Sequence, residues 1–436
     1  MRIHLARERG NAMLIMLVSI VVIGTALASY LDLVSWQNRQ VNHSLQWNAA
    51  IPVLEAGLEE ALTHLYHNGT NLAGNGWTLV NGVYEKERYL GENRYVVTMT
   101  PDARPTIISR AYMRDLVTSN FLSSVRAVKV TVTNSALFAK GMVAKGEIDL
   151  SGNGIMTDSF DSADENYSTN GQYDENKAKD NGDVATNSAV VDSLDVWNAD
   201  IFGKASTGPG GTVKIGPNGS VGSKAWHDAG NKGIEPGWSS DDMNVQFPDV
   251  QPPFSGGAFT PASGNVGGTN YTYVLGTGNY QLSSLSLSGQ NKVLINGNAV
   301  LYVTGNVSMS GSSKITIAPG ASLNLYVGGA SASIGGNGII NQPGNATNFY
   351  YWGLNGNTSL SLSGNAAFTG VIYAPYAAFS LGGGGSDDYD FVGASITSSV
   401  AMNGHFKFHY DENLSRVGPR RGFSVDSWNE IKWEEL

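Results

Sequence analysis

Leu285-Ser286-Leu287-Ser288-Gly289 is a unit of five residues: apolar, polar, apolar, small, glycine. It returns as Val307-Ser308-Met309-Ser310-Gly311, Leu360-Ser361-Leu362-Ser363-Gly364, Phe379-Ser380-Leu381-Gly382-Gly383 and Val400-Ala401-Met402-Asn403-Gly404. An early copy stands at Ile148-Asp149-Leu150-Ser151-Gly152. The closing glycines step by 22 residues between the first two late copies, and by 19 and then 21 across the last three. A recurring step near twenty residues marks a repeat architecture, in which each unit buries its apolar side only by stacking on its neighbours. Alternation inside the pentad sends the apolar residues to one face of a strand and the serines to the other. Gly and Asn suit the corners between strands, where positive φ is required. The expected fold of residues 136–412 is a right-handed parallel β-helix, loop-rich between 157 and 260. A β-sandwich is the alternative, and the step near twenty residues counts against it.

Composition supports stacked β-structure. From Ser263 to Gly404 the only charged residues are Lys292, Lys314, Asp387, Asp388 and Asp390. The whole chain holds 54 glycines against 15% charged residues, a balance unlike that of a helical bundle. Net charge is −10, which argues against nucleic acid as a partner. Cysteine is absent, so a disulfide framework, a thiolate metal site and a cysteine nucleophile are all excluded.

The N-terminus reads differently. Residues 1–10, MRIHLARERG, are basic, and the 20 residues from Ala12 to Leu31 carry no charge. At about 1.5 Å per residue that run spans the roughly 30 Å core of a bilayer. The positive-inside rule keeps the basic end in the cytoplasm and exports the rest. An ordinary signal peptide, cut near Ala26, Ala28 and Ser29, is the plainer alternative. Apolar positions at Leu54, Leu58, Leu62 and Leu65 then continue at helical spacing over 32–67, with Pro52 inside. Residues 77–135 have strand composition at 94–100, 106–113 and 125–133, where Val128, Val130 and Val132 alternate with polar residues. Residues 413–436 are expected to be a C-terminal tail.

Arg7-Glu8-Arg9-Gly10 before Asn11-Ala12-Met13-Leu14-Ile15 resembles a prepilin leader, 1–10, followed by a transmembrane helix, 11–31. Trp47-Asn48-Ala49-Ala50-Ile51-Pro52-Val53-Leu54-Glu55-Ala56-Gly57-Leu58-Glu59-Glu60-Ala61-Leu62 is similar to the same part of PilX-like minor type IV pilins. The resemblance implies a prepilin peptidase that recognises Arg7 and Arg9 and cuts between Gly10 and Asn11. It also implies a sheet packed on the second half of the long helix, other pilin subunits as partners, and residence in a bacterial inner membrane with a large exported domain, then in a pilus or on the cell surface. Most pilins carry Glu at the fifth mature position, and this chain has Ile15 there. Asp158-Ser159-Phe160-Asp161-Ser162 and Gly370-Val371-Ile372-Tyr373-Ala374-Pro375 resemble uncharacterised β-helical domains that follow PilX-like N-termini.

No residue set announces catalysis. Many β-helices are polysaccharide lyases or hydrolases with carboxylates gathered on one face. Asp387, Asp388, Asp390 and the stretch His405–Glu412 are the candidates. The first group reads more simply as a solvated loop after four glycines, the second as an edge strand capping the solenoid. Asp158, Asp161 and Asp164 are weak Ca²⁺ candidates, since their spacing by three departs from that of an EF-hand loop. No cofactor is implied. The sequence therefore favours a non-enzymatic adhesive or structural subunit, with exposed Ser, Thr, Asn and aromatics such as Tyr350, Tyr351 and Trp352 facing a polysaccharide or another surface. A membrane-anchored polysaccharide lyase or hydrolase is the alternative.

Overall fold

The computed structural model describes residues 9–68, 72–102, 104–114, 121, 126–152, 154–363, 367–382, 389–403 and 405–431. The chain forms two compact units, one drawn from residues up to Ser135 and from Gly422 onward, the other from Ala136 to Arg421.

The first unit is built on α1, Arg9–Asn68, a helix of 60 residues. Ala, Leu, Ile and Val carry its first half, and from Met13 to Leu33 the large apolar side chains are exposed. The second half buries Val53, Leu54, Leu58, Ala61 and Leu65, which recur at the three- and four-residue spacing of one helical face. Asn68 closes the helix by donating from Nδ2 to the His64 carbonyl at 3.1 Å. The buried stripe packs on an antiparallel meander of β1 (Thr78–Val80), β2 (Val83–Leu90), β3 (Asn93–Met99), β4 (Thr106–Tyr112) and β5 (Arg126–Ala136). Asn81 and Gly82, both at positive φ, make the two-residue turn from β1 to β2. Tyr95, Val97 and Met99 on β3, and Val128, Val130 and Val132 on β5, supply the alternating inward rows.

A sixth strand, Arg420–Ile431, lies beside β5. Arg126 donates to both carboxylate oxygens of Glu430, at 2.6 and 2.9 Å. The stretch after 412 is therefore not a tail. It holds a helical turn at Leu414–Val417 and then this strand, because β5 has a free edge for it to pair with. In chain order, the whole second unit sits between two neighbouring strands of the first.

The second unit is a stack of parallel ladders. One runs through Gly278–Leu282, Asn298–Val303, Ser322–Val327, Phe349–Gly353 and the first half of Phe368–Gly382. A second runs through Leu285–Leu287, Val307–Met309, Ser331–Ile334, Ser359–Ser363 and the second half of Phe368–Gly382. A third joins Thr269–Leu275, Lys292–Ile295, Lys314–Ile317 and Ile339–Asn341, and the antiparallel strand Ala262–Val266 covers its end. The pentads are the strands of the second ladder. Its repeat also passes through Ser331-Ala332-Ser333-Ile334, which the pentad pattern does not flag because small Ala332 takes the first inward place.

The order of stacking is not the order of the chain. Ser395–Thr397 pairs in parallel with β6 (Met142–Ala144), and Val400 and Ala401 pair with β7 (Ile148–Asp149). Lys407–Asp411 pairs with β8 (Met156–Phe160). The last coils of the late segment thus rest on the first coils of the early one. One inward column runs unbroken across the join: Leu285, Val307, Ala332, Leu360, Phe379, Val400, Ile148, Leu194, Val213. Beside it Phe368, Phe391 and Phe408 stack at 4.7 and 4.4 Å between ring centres. At about 4.8 Å per rung, such columns bury apolar side chains against like neighbours above and below.

Candidate functional site

α1 is long and apolar enough to cross a membrane. Gly10 and Asn11 lie within this helix and Arg9 is its first residue, while Arg7 falls outside the described residues. Where the helix meets its sheet, a cavity of about 780 Å³ is lined by Glu60, His64, Trp77, Lys86, Arg88 and Tyr95. Its inner carboxylate is already engaged. Glu60 accepts from Lys86 at 2.7 Å, from Arg88 at 3.1 Å and from the Tyr95 hydroxyl. Burial raises the Glu60 carboxyl, but the hydrogen bonds of Lys86 and Tyr95 outweigh it and hold the group below the usual range.

The join between the two segments carries a polar cluster. His409 and Asp158 are register partners across it, with Nδ1 and Oδ1 2.5 Å apart. Tyr173 donates to the other oxygen of Asp158 at 2.7 Å and stacks on the His409 ring at 3.6 Å. Asp161 accepts from Arg416. Glu412 accepts from Lys179 at 2.5 Å, from Asn181 at 2.8 Å and from Ser159 at 2.9 Å. Asp411 is fully buried with Oδ2 unpartnered, and burial pushes its carboxyl up.

These contacts pin residues 157–183 to the Phe406–Asp411 strand. That strand is not the edge strand expected: it lies between its own preceding coil and β8, and His409 and Asp411 are inaccessible to a substrate. The Ca²⁺ candidates are also dispersed. Asp158 faces His409 and Tyr173, Asp161 faces Arg416, and Asp164 accepts from the Asn166 backbone at 2.9 Å. Among the described residues no three His, Cys, Asp or Glu side chains gather around a common point. Asp387 and Asp388 lie outside the described residues, and Asp390 is the second residue of the strand Tyr389–Asn403.

The first ladder presents aromatic residues outward. Tyr302, Tyr326, Trp352 and Tyr373 are register partners on four successive rungs, at sequence steps of 24, 26 and 21. Tyr326 and Tyr350 lie nearly parallel to Trp352, at 5.8 and 5.7 Å between ring centres. Tyr351, expected outside, points inward and is buried, its hydroxyl donating to Asn357 at 2.8 Å; the period of two along Phe349–Gly353 requires this.

An extended strap crosses the column. Val245 N donates to Asn187 Oδ1 at 3.1 Å. Pro248 O accepts from the Tyr373 hydroxyl at 2.7 Å, and Asp249 accepts from Tyr376 and Asn355 at 2.6 and 3.0 Å. Phe254 meets Tyr302 edge-on at 6.0 Å. The hydrogen bonds from Tyr376 and Asn355 hold the Asp249 carboxyl below its usual range. Between strap and column lies a cavity of about 280 Å³, with Tyr326, Trp352 and Tyr373 on one side and Asp249, Gln251 and Arg420 among its other residues.

On the second ladder the outward residues Ser286, Ser308, Ser333, Ser361 and Ser380 form a column of hydroxyls on five rungs, without a charge among them. The aromatic column was equally present in the sequence as a recurrence near the same step. Its members differ in identity and no glycine ends each copy, so the five-residue pattern does not flag it.

A family described as a domain of unknown function (DUF7305) matches residues 258–417. No curated protein matches the chain. Among solved structures, the competence-associated pilin ComZ from Thermus thermophilus aligns over 88% of this chain and 98% of its own, at 13% identity and a TM-score of 0.27. That score is below the level of a shared fold, and neither fold nor function is carried over from it.

Proposed function

We propose that the chain is a type IV pilin-like minor subunit, held in a bacterial inner membrane before assembly, whose exported part is a right-handed parallel β-helix that binds rather than reacts. One observation carries the reading. The helix leaves its apolar, uncharged run from Ala12 to Leu31 bare of tertiary contacts over the described side chains and packs its second half, through Leu54, Leu58, Ala61 and Leu65, on an antiparallel sheet. The bare run suits a bilayer first and neighbouring pilin helices later. The leader-like residues Arg7, Arg9 and Gly10 make a prepilin peptidase the processing partner, with Asn11 the mature N-terminus. The parallel ladders, with their inward apolar columns, support the β-helix.

Ile15 lacks the carboxylate that would pair with a neighbour's N-terminal amine, and an unpaired amine in an apolar bundle is costly. Such a subunit belongs at few positions in a filament, its tip above all. Co-expression with a prepilin peptidase, followed by N-terminal sequencing of the membrane fraction, should give a chain that starts at Asn11. A start near Tyr30 would remove the pilin reading. Labelled protein should sit at filament ends, and Ile15→Glu should spread it along the shaft. Depolymerisation of a polysaccharide by the purified protein would favour a lyase or hydrolase instead.

A further inference from the structure

We infer that the cavity between the strap and the aromatic column receives one pyranose residue of a neutral polysaccharide. The inference rests on the binding role proposed above and gives it a place and a ligand class. Three features select the occupant. First, Tyr326 and Trp352 supply aromatic surface, which favours a ligand with an apolar face such as the C–H side of a sugar ring. Second, the remaining lining includes one carboxylate, Asp249, and one guanidinium, Arg420, with the Gln251 amide. The two charges balance, so neither a polyanion nor a polycation is favoured, and donors stand beside acceptors, as hydroxyl groups require. Third, the volume is about 280 Å³, which gives room for one small ring.

The parts are fixed in place. Asp249 is oriented by Tyr376 and Asn355, Pro248 is tied to Tyr373, and the indole N–H of Trp352 donates to Asn324 at 3.1 Å. Two guanidinium nitrogens of Arg420 donate to the carbonyls of Ser415 and Arg416, which anchors that side chain at the helical turn. Pre-positioned groups lose little freedom on binding. The neighbouring ladder carries a column of uncharged serines on its outward side.

The test uses the full chain in detergent and calorimetric titration with cellohexaose, maltohexaose and N-acetylchitohexaose, with polygalacturonate as the charged control. At least one neutral hexasaccharide should bind saturably and polygalacturonate should not. Trp352→Ala should weaken binding about tenfold, equivalent to about 1.4 kcal/mol. Gln251→Trp, at an exposed position of the strap, should block the cavity while leaving the melting temperature unchanged, and so reports even if Trp352→Ala folds poorly. Trp428→Ala, in the other unit, should bind as wild type does. Failure of all three hexasaccharides at millimolar concentration, stronger binding of polygalacturonate, or unchanged binding by Gln251→Trp would each overturn the site. Membrane insertion and the N-terminal residue are read on the same preparation. Their loss sinks the subunit reading, whereas their retention without saccharide binding sinks only this site.

Discussion

Asp411 shows how a single residue can be legible in type and illegible in state. Alternation along the strand puts it on the same side as His409, Lys407 and His405, which at an edge would be wet. In the fold it is fully buried, accepting from the backbone of Ser162 and Asn413 at 3.1 Å each. Burial raises its carboxyl, the hydrogen bonds lower it, and burial prevails. A carboxyl raised in the folded state binds its proton more tightly there than in the unfolded chain. Its contribution to stability is complete below the unfolded value of about 3.9 and is lost as pH rises through the folded value. Asp411→Asn should therefore match wild type in acid and melt at a higher temperature near pH 7. Melting curves from pH 4 to 8 test this, and parallel profiles for the two proteins would refute it. Glu60 and Asp161 titrate in the opposite sense, losing stability as pH falls, but both proteins keep them, so they cancel in the difference.

At the scale of elements, the meeting of α1 with its sheet turns on Gly57. Helix propensity alone says that alanine there would gain about 1 kcal/mol. A Cβ at Gly57 would stand 2.4 Å from Ser109 Oγ and 3.0 Å from the Tyr95 ring. Ser109 has little freedom to retreat, because it is fully buried and donates to the Leu54 carbonyl at 2.9 Å. Overpacking of this kind costs roughly 1–3 kcal/mol, so the clash outweighs the propensity. Gly57→Ala should lower the melting temperature, and Gly57→Ala with Ser109→Ala should recover part of the loss. An alanine variant more stable than wild type would show that the helix stands off the sheet. The helix itself was readable from its leucines and its uncharged run, and β3 to β5 from their alternating valines. β2, VYEKERYL, gives a weak strand signal, since Glu85, Lys86, Glu87 and Arg88 mask its alternation, although the Asn81-Gly82 turn before it marks a hairpin.

For the second unit as a whole, the consequence of its topology is cooperativity between distant segments. The family match at 258–417 ends with the Phe406–Asp411 strand and the turn after it, yet β6, β7 and β8, which cover the last late coils, lie outside it. Residues 258–417 alone would present Ser395–Thr397, Val400–Ala401 and Lys407–Asp411 as open parallel edges, with buried His409 and Asp411 stripped of their cover. Open edges of this length invite association. The isolated segment should elute as oligomers or aggregate and melt broadly, whereas 136–421 should be monomeric with one sharp transition. Size-exclusion chromatography and circular dichroism decide it, and a monomeric, sharply melting 258–417 would contradict the dependence.

Periodicity and composition in the sequence determine which side of each strand is apolar, how often the unit recurs, and that a long N-terminal helix contains an uncharged run. Those are local properties: side chains alternate with the backbone, and a run of about 20 apolar residues needs no partner to be recognised. Tertiary structure alone decided that late coils rest on early ones, that the strap crosses the aromatic column, that His409 faces Asp158, and that the residues after 419 return to the first sheet. The reason is physical. Strands join through backbone N–H and C=O groups that nearly every residue carries alike, so a sequence can mark a strand without marking which segment, tens or hundreds of residues away, will take its open edge.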